Sequence, residues 1–135
     1  MPLQPALDVL VVDDEPAVAR LLAAVLEREG LAVDAVHDAR AALELLARRT
    51  VHVVLTDYTM PEVNGLELVR RAEQRGVSAA YLVMSAFLEP PVAAALCAEP
   101  AVAGVVGKPF QLSELVADVR AALGARQAVA GVHPC

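Results

Sequence analysis

Asp57 is the residue of this sequence best placed for covalent chemistry. It follows the apolar residues Val53, Val54 and Leu55 and one threonine, and the chain breaks shortly afterwards at Pro61. A short buried strand has this pattern, with the aspartate at its carboxyl end. A carboxylate in such a place is unfavourable unless it has a partner or a chemical role. We therefore predict that Asp57 is a nucleophile that accepts a phosphoryl group.

Four further polar residues also come after apolar runs. Asp13 and Asp14 directly follow residues 8–12, and Ser85 directly follows residues 79–84. Lys108 is the only lysine among eleven basic residues, and it follows the run 101–106 after one glycine. The carboxyl ends of parallel strands meet at one edge of a sheet, where ligands bind. We therefore expect these four side chains to share a pocket with Asp57.

Such a pocket has the composition that phosphoryl transfer to a carboxylate requires. Three clustered carboxylates repel one another, and a divalent cation relieves that repulsion. The absence of His and Cys from the set favours Mg²⁺ over Zn²⁺, and Mg²⁺ also accepts phosphate oxygens as ligands. An ammonium at Lys108 and a hydroxyl at Ser85 would stabilise the charge on the transferred group. The predicted cofactor is therefore Mg²⁺, with Asp13, Asp14 and Asp57 around it.

The elements that must position these residues alternate along the chain. Apolar runs predict strands at residues 8–12, 31–36, 51–56, 79–84 and 101–106. Helical periodicity with stop signals predicts helices from Pro16 to about Gly30, and at residues 41–49, 66–75, 90–98 and 112–123. A repeat of strand and helix predicts an α/β fold, a flavodoxin-like doubly wound (βα)5 domain with one five-stranded parallel sheet. The strand order 2-1-3-4-5 would place strands one and three side by side.

Composition and charge exclude several function classes. The chain has 135 residues, of which 57% are hydrophobic, so one globular domain is expected. The net charge of −6 argues against direct contact with nucleic acid or an anionic membrane. The sequence has no pattern of a signal peptide or membrane span, which predicts a cytoplasmic location. We expect an N-terminal extension at residues 1–6, the domain at residues 7–124 and a short tail at residues 125–135. Cys97 lies in an apolar helical run, so we expect its thiol to be buried.

The sequence resembles the receiver (CheY-like) domain of two-component response regulators over about residues 7 to 124. Four pieces carry the resemblance, in order: residues 9–16, Asp57 with Met60, Pro61 and Gly65, residues 84–86, and residues 108–110. Each piece alone is a weak signal. All four together, each at the end of a predicted strand, are specific.

The resemblance implies a role for each candidate residue. Asp57 would receive a phosphoryl group from the phosphohistidine of a sensor histidine kinase or a phosphotransfer protein. Asp14 would bind Mg²⁺ directly, Asp13 mostly through water, and Thr59 through its backbone carbonyl. Ser85 and Lys108 would contact the phosphoryl group. The chain would then catalyse its own phosphorylation and dephosphorylation only, and would not be a turnover enzyme.

The resemblance is less complete at the residue that would transmit phosphorylation to a downstream partner. Receivers commonly carry an aromatic residue three positions before the lysine, as a switch, and this chain has Val105 there. The downstream partner would be a separate protein or an output domain absent from these residues. A homodimer through the fourth helix, fifth strand and fifth helix is a further expectation.

Two other hypotheses stay open at this stage. A small Mg²⁺-dependent phosphohydrolase of the haloacid-dehalogenase type also uses an aspartyl nucleophile. That class places its nucleophile on the first strand in an Asp-x-Asp pattern, whereas this chain has Asp13, Asp14, Glu15 and Pro16 there and lacks a cap insertion. A receiver that only binds partners would lack acidic or lysine positions, and none is missing, although Val105 allows phosphorylation with little conformational consequence.

Overall fold

A computed structural model of the protein describes residues 4–124. Strands and helices alternate, with these bounds: β1 Leu7–Val12, α1 Pro16–Arg28, β2 Val33–Val36, α2 Ala39–Arg48, β3 Val51–Asp57, α3 Gly65–Gln74, β4 Ala80–Ser85, α4 Pro90–Ala98, β5 Val102–Gly107 and α5 Leu112–Gly124. Each predicted strand and helix is present, with bounds that differ by no more than two residues from the sequence-based prediction.

The five strands form one parallel sheet in the order β2-β1-β3-β4-β5. Val12 at the end of β1 pairs with Thr56 of β3, and Asp57 pairs with Met84 of β4. The predicted α/β fold and strand order are therefore confirmed. The central position of β1 and β3 brings the residues after β1 next to the end of β3.

Local sequence signals explain where helices begin. The Asp38 side chain accepts a hydrogen bond of 2.7 Å from the Ala41 N–H, which makes it the N-cap of α2 that the sequence predicts. Asn64 caps α3 in the same way through the Glu67 N–H at 2.9 Å. Pro16 occupies the first turn of α1, where a missing N–H costs nothing. These caps fix the loops that lead from the sheet edge into the helices.

The sheet is covered on both faces, which accounts for the continuous apolar strands. Val9 and Val11 face a core with residues of α1 and α5, while Leu10 and Val12 face one with residues of α2 and α3. A third and smaller set, which we call the α4 cluster, lies beneath α4. Its buried members are Leu66, Val83 and Leu96, with Tyr58, Leu88, Val92, Ala95, Val102 and Val105 packed against them.

Other sequence-based expectations have different outcomes. Cys97 lies exposed on α4 and is not a free thiol, so the prediction of a buried thiol is wrong. The predicted tail at 125–135 lies outside the described residues, and the domain bounds stay a prediction. Across residues 4–124, each helix is too short or too polar to span a lipid bilayer.

Candidate functional site

The predicted site residues lie along the carboxyl edge of the sheet. Asp13 and Asp14 follow β1, Asp57 is the last residue of β3, Ser85 is the last residue of β4, and Lys108 follows β5. Each side chain is held at the end of a buried strand, so its starting point is fixed by the sheet. The edge therefore brings together groups that are up to 95 positions apart in the sequence (Asp13 to Lys108).

Three carboxylates form one cluster at this edge. Asp13, Asp14 and Asp57 each offer an oxygen, and these oxygens all lie within 4.8 Å of one another. Asp13 is fully buried and Asp57 is 7% exposed, while Asp14 faces solvent. Such a set of hard oxygen donors with one open side fits a divalent cation of the Mg²⁺ type.

Lys108 supplies the positive charge next to this cluster. Its Nζ donates a hydrogen bond of 3.2 Å to Asp57 Oδ2 and lies 4.0 Å from Asp13 Oδ2. The Lys108 N–H donates to the Ser85 carbonyl at 2.9 Å, which extends the β4–β5 pairing to the lysine itself. The ammonium thus lies beside one carboxylate oxygen of Asp57 and one of Asp13.

Asp13 carries an electrostatic cost that the protein alone does not relieve. Burial raises the pKa of Asp13, the Glu15 N–H lowers it, and Asp57 raises it again, with smaller effects of Lys108 and Asp14. Its Oδ1 accepts the Glu15 N–H at 2.9 Å, whereas its buried Oδ2 has no hydrogen-bond partner among the described residues. An unsatisfied buried carboxylate oxygen is unfavourable, and a bound cation would satisfy it.

Ser85 lies at the predicted place, but its hydroxyl has other partners. Its Oγ donates to the Phe87 carbonyl at 2.9 Å and accepts from the Phe87 N–H at 3.2 Å. The hydroxyl is therefore held by the β4–α4 loop and not by the carboxylates. The Phe87 ring is 76% exposed, so this loop has little packing that would prevent it from changing shape.

Thr59 approaches Asp57 through its backbone. The Thr59 N–H donates to Asp57 Oδ1 at 3.3 Å, so both carboxylate oxygens of Asp57 have a donor. The role of the Thr59 carbonyl as a metal ligand stays a prediction.

Gly65 has a structural role at the site that the sequence-based reasoning did not assign. A Cβ at this position would lie 2.9 Å from the Asp57 carbonyl oxygen and 3.0 Å from Tyr58 Cα, closer than side chains tolerate. Its N–H donates to the Tyr58 carbonyl at 2.8 Å. The start of α3 is therefore pressed against the backbone of Asp57. The available signal was a glycine directly after the N-cap of a predicted helix.

Comparison with known proteins places the chain among signalling domains. The profile of a family described as "Response regulator receiver domain" matches residues 9–120. The transcriptional regulatory protein FixJ of Azorhizobium caulinodans is 37% identical over 119 residues, which cover 88% of this chain and 56% of that protein. The transcriptional regulatory protein CutR of Streptomyces coelicolor is also 37% identical, over 90% of this chain and 55% of that protein.

A solved structure agrees with these sequence relatives. The signal receiver domain of an HD domain-containing protein from Pseudomonas fluorescens Pf-5 superposes with a TM-score of 0.80 at 25% identity, over 88% of this chain and 95% of that one. The chain spans about half the length of the two curated relatives. The likeness therefore concerns one domain of those proteins.

Proposed function

The chain belongs to the response regulator receiver domain family, and on that premise we propose that Asp57 accepts a phosphoryl group in a Mg²⁺-dependent reaction. The observation that carries the proposal is the cluster of Asp13, Asp14 and Asp57 with the Lys108 ammonium beside it. An acidic set with two buried carboxylates and a single lysine is an unfavourable arrangement for stability alone. It is the arrangement that transfer of a dianionic group onto a carboxylate needs.

In the proposed reaction, an Asp57 carboxylate oxygen attacks the phosphorus atom of a phosphohistidine. A new O–P bond forms while the N–P bond breaks, and the leaving imidazole takes up a proton. Lys108 already donates to Asp57 Oδ2 and would follow the charge as it moves onto the phosphoryl oxygens. The Thr59 N–H holds the other oxygen and orients the carboxylate.

The residues present fit the cation that this chemistry calls for. Asp14 and Asp57 would bind Mg²⁺ directly, Asp13 mostly through water, and Thr59 through its carbonyl, as the resemblance implies. When bound, the cation neutralises charge on the carboxylates and on the phosphoryl group. Asp13 Oδ2 supports this assignment, because it is a buried acceptor without a hydrogen bond in the described residues, with the Lys108 ammonium 4.0 Å away.

Ser85 would contact the phosphoryl group only after a local change. Its O–H donates to the Phe87 carbonyl, so it has to exchange that hydrogen bond for one to a phosphoryl oxygen. A charge-assisted hydrogen bond is about twice as strong as a neutral one, which favours the exchange. The β4–α4 loop would then move with Ser85.

The proposal extends to partners and location. The phosphoryl donor would be a sensor histidine kinase or a phosphotransfer protein in the cytoplasm, and the chain would catalyse only its own phosphorylation and dephosphorylation. The two relatives are transcriptional regulators about twice as long as the matched region. The downstream element would therefore be an output domain or a separate protein. A homodimer through α4, β5 and α5 is a further part of the proposal.

A small-molecule donor tests the function without its kinase. The full chain is incubated with phosphoramidate and Mg²⁺, and its intact mass is measured. We expect one phosphoryl group on the wild type, none on Asp57→Asn, and none on the wild type in excess EDTA. An unmodified wild type, or equal modification of Asp57→Asn, would refute the assignment. Sustained hydrolysis of an unrelated phosphate ester would instead favour a phosphohydrolase.

A further inference from the structure

The attachment of α4 depends on a small number of apolar contacts. Of the described helices, α4 buries the fewest residues, only Leu96, whereas α3 buries five. Its other apolar contacts with the sheet come from half-buried side chains of the α4 cluster. A helix with so little buried apolar surface is displaced at low free-energy cost. The position of α4 is therefore sensitive to the shape of the cluster beneath it.

The ends of α4 add little to this attachment. Glu89 at the N-cap makes no side-chain capping hydrogen bond, and the last turn has no basic residue. Glu99 at the C-cap pairs with Arg70 of α3 at 2.8 Å, but the arginine is half exposed. An exposed pair of this kind contributes little to stability. Among the described non-covalent contacts, the α4 cluster therefore contributes most to the placement of the helix. Cys97 on the same helix is not a free thiol.

Tyr58 connects this cluster to the site. It directly follows Asp57 and is the only aromatic side chain of the cluster in the described part of the chain. Its N–H donates to the Met84 carbonyl and its carbonyl accepts from the Gly65 N–H, both at 2.8 Å. The backbone is fixed at the sheet edge while the half-buried ring extends beneath α4. Val105 contributes only an isopropyl group to the same cluster, so Tyr58 is its largest side chain.

We propose that Tyr58 is a positioning residue that couples the state of Asp57 to the placement of α4. The inference rests on the proposed phosphoryl transfer to Asp57. The Thr59 N–H donates a hydrogen bond to Asp57 Oδ1, so the two residues that flank Tyr58 in the chain are linked at the site. A phosphoryl group on Asp57 changes the volume and charge next to this hydrogen bond. Because the Tyr58 N–H and carbonyl hold its backbone in place, the side chain responds, and its ring repacks against the α4 cluster.

The ring rather than the hydroxyl carries this coupling. The Tyr58 hydroxyl accepts one long hydrogen bond of 3.4 Å, from the Asn64 side chain. Asn64 is already held by its role as the cap of α3. Phenylalanine at position 58 keeps the ring and loses only this weak hydrogen bond, whereas alanine removes the ring. The two substitutions therefore separate packing from hydrogen bonding.

Hydrogen exchange of α4 amides, measured on the full chain before and after phosphorylation by phosphoramidate and Mg²⁺, tests the proposal. Intact mass gives the extent of phosphorylation in the same samples. In the wild type and in Tyr58→Phe, we expect exchange of α4 to change at least about five-fold on phosphorylation, which corresponds to about 1 kcal/mol. In Tyr58→Ala we expect the same phosphoryl gain with less than about a two-fold change. Tyr58→Leu replaces the alanine variant if that variant does not fold.

Val102→Ala is the matched control. Val102 belongs to the same cluster but lies at the start of β5, away from the carboxyl edge. Its substitution should alter α4 exchange in both states and leave the difference between the states intact.

Three results would overturn the inference while leaving the proposed function in place. They are phosphorylation without a change in wild-type α4, a response of wild-type size in Tyr58→Ala, and an equal loss of response in Val102→Ala. A wild type that gains no phosphoryl group would refute the proposed function and this inference together.

Discussion

Replacement of Asp13 by asparagine should make the metal-free protein more stable. The substitution keeps an oxygen that can accept the Glu15 N–H and removes a buried negative charge. Because burial raises the pKa of Asp13, the charged form is disfavoured in the folded state. The folded pKa lies above the unfolded one, so the wild type loses stability as pH rises through the folded pKa. Above that raised pKa the wild type carries this cost in full, and the variant does not.

The size of the effect follows from the distances. The oxygens of the acidic cluster lie within 4.8 Å of one another, and two unit charges at that limit repel by roughly 3.5 kcal/mol at an effective dielectric constant of about 20. The Lys108 Nζ at 4.0 Å from Asp13 Oδ2 attracts by about 4 kcal/mol on the same scale. The Lys108 attraction is close to the repulsion from the buried Asp57, while the repulsion from the solvent-facing Asp14 is screened and smaller. What remains is mainly the desolvation of an oxygen without a hydrogen bond, about 1–3 kcal/mol. We therefore expect Asp13→Asn to be more stable than the wild type by an amount near the lower end of this 1–3 kcal/mol range, which corresponds to a rise in Tm of roughly 3–8 °C.

Thermal unfolding in EDTA and in excess Mg²⁺ provides the assay. At neutral pH in EDTA, Asp13→Asn should melt above the wild type, and the gap should shrink as pH falls through the raised pKa of Asp13. Mg²⁺ at one hundred times the wild-type Kd should stabilise the wild type by about 2.7 kcal/mol, and the variant by less. Asp14→Asn is the matched control, because it removes the same charge from a solvent-facing position. A metal-free Asp13→Asn protein that is less stable than the wild type would show that the reasoning is wrong.

Three further substitutions test other parts of the structure. Tyr81→Phe should raise the free energy of unfolding by about 1 kcal/mol in urea, because the buried Tyr81 hydroxyl has no hydrogen-bond partner in the described residues. Burial also raises the pKa of Tyr81, so the wild type should lose stability relative to the variant above about pH 10. A large destabilisation by phenylalanine would contradict this prediction. Gly65→Ala should lower the free energy of unfolding by about 1–3 kcal/mol and slow phosphorylation, because the alanine Cβ would lie 2.9 Å from the Asp57 carbonyl oxygen. A wild-type rate of phosphorylation, measured by intact mass, would count against the close contact. Asp38→Ala should cost about 1 kcal/mol through loss of the α2 cap, with unchanged phosphorylation as the internal control.

The fold was predictable because its signals are local and repeat along the chain. Continuous apolar runs of four to six residues predict strands that are buried on both faces, and β1 and β3 have this burial. Prolines and glycines mark most helix ends. The strand order follows from the handedness of βα units combined with the positions of the polar residues.

The cluster of Asp13, Asp14, Asp57 and Lys108 was predictable for a related reason. The ends of parallel strands are neighbours, so a residue at a strand end has a known place. Their functional roles stay predictions until phosphorylation is measured.

Other features depend on contacts that one sequence does not encode in a readable way. The Ser85 hydroxyl is held by Phe87 because the β4–α4 loop turns back on itself, and nothing in the pattern of residues indicates that turn. The close approach of Gly65 to Asp57 depends on the angle at which α3 leaves the sheet. Tyr58 follows the last residue of β3, so the alternation of side chains along the strand does not predict which way its ring points. Its position in the α4 cluster was therefore not predictable from the sequence.

The most direct test of the central claim is the chemical identity of residue 57 after exposure to a phosphoryl donor. An acyl phosphate is reduced by borohydride to an alcohol, so the modified aspartate becomes homoserine and is located by tandem mass spectrometry of the peptide. We predict homoserine at position 57, only in samples that contained both phosphoramidate and Mg²⁺. Homoserine at another aspartate, or none in a sample whose intact mass shows a phosphoryl group, would contradict the assignment of Asp57 as the acceptor.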